Sequence, residues 1–182
     1  MARKSLTQVL AEAAVAFPDN ITELITPAIL RAWIGDFVAA IRPAYGVLSI
    51  ASSNQAVTAT PQALAMNIAQ LSPVIDYVLT PATGTIVRSE PGMVRFTVSA
   101  DVAAATAQTV TFVLYKNGVA TAWKQSARTT GAAIVEAVSF PAMEYSNALA
   151  TYQLRISSTS VGTVTLTDVI FLAETVPVWD YT

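Results

Sequence analysis

The stretch Val110-Thr111-Phe112-Val113-Leu114-Tyr115-Lys116-Asn117-Gly118 decides the fold. Val110, Phe112 and Leu114 recur at every second position, the period that puts successive side chains on opposite faces of a strand. The run ends in Asn117-Gly118. Both residue types tolerate positive φ, which makes the pair a strong hairpin signal.

The same period continues on either side. Upstream, Val94, Phe96 and Val98 alternate with Arg95, Thr97 and Ser99; downstream, Tyr152, Leu154 and Ile156 alternate with Gln153, Arg155 and Ser157. Val164, Leu166, Ile170 and Leu172 follow Val161-Gly162. Less regular strands are expected at 46–51, 64–69, 85–88, 120–124 and 134–140. The Ala- and Thr-rich residues 102–109 read as a strand-connecting loop, and Thr60-Pro61 suits the start of a short helix as well as a loop. Eight or nine short strands without a long helix make an antiparallel sandwich or barrel, mainly β in class.

Residues 1–43 carry a different period. Leu6, Val9, Leu10 and Ala13 share one helix face, so a first helix is expected over 4–16, stopped by Phe17-Pro18-Asp19-Asn20. A second opens at Thr26-Pro27, a capping hydroxyl followed by proline at the first helical position. Its apolar stripe runs through Leu30, Trp33, Ile34, Phe37, Val38 and Ile41, and Leu30, Ile34, Phe37 and Ile41 keep a heptad-like 4-3-4 rhythm. That stripe suits a helical interface between subunits. It equally suits a helix packed on its own domain, and the sequence leaves both readings open.

Composition narrows the chemistry. The 182 residues are 53% apolar and 12% charged, with no cysteine and no histidine. Disulfides, Cys/His zinc sites, thiol nucleophiles and Ser-His-Asp triads are thereby excluded. A net charge of -2 gives no steering toward nucleic acid or anionic lipid. The basic residues are spread along the chain, so no nucleic acid partner is expected. The most apolar stretch, 28–41, carries Arg31 and Asp36 and is too short to span a bilayer. Arg3-Lys4 and Ala14-Val15-Ala16 imitate a signal peptide, but Gln8 and Glu12 interrupt the apolar region it needs. A soluble chain made inside the cell, without a membrane partner, is the expectation. So much apolar surface with so little charge points to assembly.

An acid–base site would have to use carboxylates, and Glu90, Asp101, Glu136, Glu144 and Asp168 are scattered without a pairing motif. Asp168 shares the strand phase of Leu166 and Ile170, which turns it inward unless a bulge intervenes. No phosphate-loop, dinucleotide or calcium-loop pattern occurs. No enzymatic activity, metal or cofactor is expected. Trp123 beside the hairpin either covers a sheet face or is exposed for binding. The chain ends in Val176-Pro177-Val178-Trp179-Asp180-Tyr181-Thr182, with Trp179 and Tyr181 suited to a lid or to docking on a neighbouring subunit.

Ile25-Thr26-Pro27, Leu30-Arg31, Trp33-Ile34, Asp36-Phe37 and Tyr45-Gly46 resemble the N-terminal segment of many tailed-bacteriophage virion proteins, in which such a helix leads into a β domain. Pro91-Gly92 before 93–99, Leu114-Tyr115-Lys116-Asn117-Gly118, Tyr152-Gln153-Leu154-Arg155 and the closing strand 163–172 resemble the jelly roll of the tumour-necrosis-factor and complement globular-head superfamily. One departure is Asn147-Ala148-Leu149-Ala150-Thr151, where that superfamily often has Gly-Asp, so the resemblance does not predict this loop.

The resemblance implies an antiparallel jelly-roll sandwich (46–182) preceded by a short helical anchoring or oligomerisation segment (1–45). It further implies a homotrimer on the surface of a virion, made in the host cytoplasm as a capsid decoration or head-fibre protein bound to the major capsid or another virion protein. Leu30, Trp33, Ile34, Phe37, Ile41, Trp179 and Tyr181 are the expected interface residues. A rival reading is a tail-fibre or receptor-binding module for a host surface glycan, with Trp123, Tyr145 and Asn147 as its site. A carboxylate hydrolase would instead need two carboxyl groups facing each other across a cleft.

Overall fold

The fold was obtained as a computed structural model that describes residues 11–12, 15, 27–41, 44–71, 76–131 and 134–176. Ala11, Glu12 and Val15 are helical, while the rest of the expected first helix lies outside the described residues. Helix α1 spans Pro27–Ile41. Among the described residues, eleven strands follow: β1 (Tyr45–Val57), β2 (Gln62–Ala63), β3 (Ile68–Leu71), β4 (Tyr77–Thr80), β5 (Thr85–Arg88), β6 (Gly92–Ala104), β7 (Ala107–Lys116), β8 (Val119–Thr130), β9 (Glu136–Ser146), β10 (Thr151–Ser158) and β11 (Gly162–Thr175).

They form two antiparallel sheets, β3-β1-β11-β6-β9 and β4-β5-β10-β7-β8, with β2 added on β10. The chain changes sheet at every connection except β4–β5 and β7–β8, so the core is filled from both sides. Val94, Phe96 and Val98 of β6 meet Phe112 and Leu114 of β7, Tyr152, Leu154 and Ile156 of β10 and Phe171 of β11, all fully buried. The Phe96 ring lies 4.5 Å from Tyr152 and 5.8 Å from Phe171. Each such side chain contributes about 1.5–3 kcal/mol on burial. The period-two reading thus becomes the core.

Turn chemistry follows the residues. Asn117 (φ 51°) and Gly118 (φ 79°) both take positive φ in the tight turn between β7 and β8. The Asn117 side chain also accepts from the Thr151 backbone N–H at 2.8 Å, tying the hairpin to β10. Gly84 (φ 59°) allows a close approach that no other residue could make, because an added Cβ would lie 1.9 Å from the Leu64 carbonyl oxygen. In the loop that departs from the superfamily, Leu149 takes a left-handed φ of 62° and is held by its N–H to the Arg88 carbonyl at 2.7 Å.

Two local expectations are corrected, the loop at 102–109 and the strand at 64–69, and two open readings are decided, at Thr60-Pro61 and at Asp168. Residues 102–109 are not a loop: β6 and β7 leave only Ala105-Thr106 between them. Val102, Ala104, Gln108 and Val110 keep the inward phase, and small side chains suffice at the end of the sandwich. Thr60-Pro61 starts no helix; the Thr-Pro pair that opens a helical turn is Thr80-Pro81. Leu64 and Met66 are buried in an irregular link between the sheets, with their N–H groups satisfied by Leu154 and Pro81 carbonyls. Asp168 (φ 50°) points outward at a bulge, where β11 gains a residue against β6 between Thr167 and Ile170. The bulge reverses the phase, so Val169, Phe171 and Ala173 fill the core while Ile170 turns out.

Candidate functional site

The outer face of the five-stranded sheet sets large apolar side chains among hydroxyls. One row across it reads Gln70–Val47–Leu172–Thr97–Pro141, and the next reads Ile68–Ser49–Ile170–Ser99–Ser139. Ile170 is 42% exposed, and Ile68, Tyr45, Met143 and Tyr145 are also exposed along this face. Glu174 and Arg95 stand directly opposite one another and cancel in an ion pair of 2.5 Å. Asp101 and Asp168 add two carboxylates at its far end. Contiguous apolar surface of this kind is characteristic of protein–protein contact.

Helix α1 adds a second apolar surface. Leu30 and Ile34 are 43% and 46% exposed, and neither belongs to the β core. Trp33 and Phe37 are half-buried and stacked on each other at 5.7 Å, one turn apart. Ile41 is the last residue of the helix. Trp179 and Tyr181 lie outside the described residues.

The glycan residues expected from the sequence come out differently. Strand β8 bulges, so that Leu114 of β7 faces the three residues Thr121, Ala122 and Trp123. The Thr121 hydroxyl takes over the ladder by donating to the Leu114 carbonyl at 2.8 Å. This re-aims Trp123 across the open side of the sandwich, where its indole N–H donates to Glu144 Oε1 of β9 at 3.0 Å. Lys116 lies 3.7 Å from Glu144 Oε2 and donates to the Tyr145 carbonyl. Trp123 is therefore a clasp between the edge strands of the two sheets. Tyr145, 57% exposed, belongs to the outer face of the other sheet, and Asn147 lies just past β9. Glu144, the residue that joins these elements, carried no sequence signal beyond its charge.

A buried polar cluster, also unforeseen, closes the end of the sandwich from which α1 departs. Arg88 donates to the carbonyls of Glu90, Pro91 and Met93 and reaches the hydroxyls of Tyr77 and Thr175 at 3.5 and 3.4 Å. Tyr77 and Thr175 are 3.0 Å apart, and Thr175 donates to Asp76 at 3.4 Å. Burial pushes the Tyr77 phenol above its ordinary value of 10.0, against the pull of the Thr175 hydrogen bond and the Arg88 charge. The Thr175 N–H donates to the Ala44 carbonyl, so the cluster also fixes where α1 joins the β domain.

The remaining carboxylates are dispersed: Glu90 between β5 and β6, Asp101 on β6, Glu136 at the start of β9 and Asp168 at the bulge. Among the described residues, no group of three or more acidic side chains could hold a metal ion, and no helix is long and apolar enough to cross a membrane.

Two antiparallel sheets in this order form a jelly roll of the tumour-necrosis-factor type. Among solved structures, the chain is similar to "Structure of Eiger TNF from S. frugiperda" with a TM-score of 0.55 and 13% identity, over 78% of this chain and 98% of that one. At that identity the likeness concerns the fold. No protein-family model matches the sequence, and comparison with curated proteins found no match.

Proposed function

We propose that this chain is a non-enzymatic assembly protein, a homotrimeric capsid decoration or head-fibre protein of a tailed-phage particle, attached through residues 1–45. The observation that carries the assembly reading is the outer face of the five-stranded sheet, where Val47, Ile68, Pro141, Ile170 and Leu172 form an apolar surface whose Arg95 is cancelled by Glu174. Packing that face against a second copy removes it from water, with a gain of about 25 cal/mol per Å². The exposed Leu30 and Ile34 on α1 supply a helical contact consistent with the same role. The threefold order and the particle come from the resemblance of the Ile25–Gly46 segment and the jelly roll to virion and superfamily proteins.

Light scattering on the full chain and on residues 46–182 tests the reading. A trimer for both assigns the contact to the sheet, and a trimer for the full chain alone assigns it to the helix. A monomer in both cases overturns the assembly reading. Co-sedimentation with tailed-phage capsids lacking their decoration protein tests the particle separately.

A further inference from the structure

The ten basic residues are scattered in sequence, yet the two sheets sort them. The strands of the six-stranded sheet (β2, β4, β5, β7, β8 and β10) contain Arg88, Lys116, Lys124, Arg128 and Arg155 and no Asp or Glu. The strands of the other sheet contain Arg95 alone against Asp101, Glu136, Glu144, Asp168 and Glu174. Arg88 is buried and Lys116 belongs to the Trp123 clasp, so Lys124, Arg128 and Arg155 remain on the outer face. None of the three enters an ion pair with a described residue.

Their placement is ordered. Arg155 and Lys124 lie in one row on either side of Val113, two strand spacings or about 10 Å apart. Arg128 is four residues along β8 from Lys124, about 13 Å away. Val113, between Arg155 and Lys124, faces outward yet is only 9% exposed. Arg155 is not an edge-strand charge kept for solubility: it sits within the sheet, stacked 4.2 Å over the Tyr115 ring and hydrogen-bonded through Nε to Gln153 at 2.7 Å. Its guanidinium is thereby held before any ligand arrives, with its terminal nitrogens directed to no described partner. Between the cations lies a field of hydroxyls: the linked pair Thr111 and Ser126 (2.8 Å), with Ser157 opposite Thr111.

We propose that this outer face of the six-stranded sheet binds an acidic polysaccharide. A flat face with three spaced cations suits a polymer charged on alternate sugars, and the hydroxyls supply hydrogen bonds to its neutral groups. Nucleic acid fits poorly. Its phosphates recur about every 3.4 Å along each strand, and the Tyr115 ring on which a base would stack is covered by Arg155. The site lies on the opposite sheet from the apolar face, so this inference stands or falls independently of the assembly reading.

The test is isothermal titration of the full chain with hyaluronate fragments, which carry one carboxylate on alternate sugars. Binding is expected at about 50 mM salt and is expected to weaken roughly tenfold or more by about 300 mM. Neutral dextran should not bind. K124Q, R128Q and R155Q should each weaken binding roughly threefold to fivefold, and the triple variant should abolish it with circular dichroism unchanged. Absence of hyaluronate binding, or full binding by the folded triple variant, overturns the proposal. So does tighter binding of poly(dT) lost in the same variants, which would make the face a nucleic-acid surface. Salt-sensitive self-association lost in the triple variant would overturn it in favour of a second copy of the chain.

Discussion

The two sheets share one core and one strand geometry, yet their outer faces are opposites. One presents Val47, Ile170 and Leu172 among serines and threonines, with its arginine neutralised by Glu174. The other presents Lys124, Arg128 and Arg155 among hydroxyls, and its strands hold no carboxylate. A net charge of -2 therefore conceals a sandwich polarised across its thickness. Composition reports an average, whereas a partner meets one face at a time. A largely uncharged face with two carboxylates only at its far end suits contact between proteins, and a hydroxylated cationic face suits a hydrated anionic polymer.

The sharpest way to break this contrast is to make the first face resemble the second. Ile170→Lys with Leu172→Lys should reduce the assembly to a monomer in light scattering, while Thr111→Lys on the opposite face leaves the mass unchanged. The next largest effect concerns Arg88, the cation of the six-stranded sheet that turns inward. Arg88→Met removes the donor to the buried Tyr77 and Thr175 hydroxyls and to the Pro91 and Met93 carbonyls, and should cost about 3–5 kcal/mol in urea unfolding. A loss below about 1 kcal/mol would mean that the cluster is not what closes this end of the sandwich.

Smaller effects concern the joints between the sheets. Trp123→Phe and Glu144→Ala each remove the clasp, and a double-mutant cycle should give a coupling of about 0.5–1.5 kcal/mol. Additive losses would show that Trp123 acts only by covering surface. The smallest effect is in pH. The Tyr77 phenol is raised in the folded state, so its contribution is complete below 10.0 and falls as pH rises from there toward the folded value. Wild type should therefore lose more stability than Tyr77→Phe between about pH 10 and about pH 11, measured as a difference in melting temperature.

Much of the fold was legible because its signals are local. Val94 to Ser99, Val110 to Gly118 and Tyr152 to Ser157 state their strand period in adjacent residues, and each became a strand with the expected side inward. Pro27 likewise opens α1. The misreadings arose where one residue changes the phase or where composition imitates a loop. Nothing in Thr165 to Phe171 announces that Asp168 takes a φ of 50°, because the extra residue is defined only against β6. The Ala- and Thr-rich residues 102–109 looked like linker because small side chains give weak periodicity, although they continue two strands.

The candidate sites were less legible. The stripe of α1 was visible in its spacing, and Trp123 and Tyr145 were conspicuous as aromatics. Glu144, Arg88 and Asp76 were not, because each also acts through a partner 20 to 100 positions away in sequence. The cationic face was invisible for the same reason: Lys124 and Arg155 are neighbours only because β7 lies between β8 and β10.

By itself, then, the sequence determined that the chain is an antiparallel β sandwich or barrel behind a helical segment, low in charge and without histidine or cysteine. Hydrophobic period and turn preference act within a few residues, so they can be read along the chain. Tertiary structure alone decided which strands became neighbours, and with that which charges share a face, where the phase reverses at Asp168 and what Trp123 holds. Strand pairing is set by the burial of a common core between distant segments, and no local window of sequence contains that information.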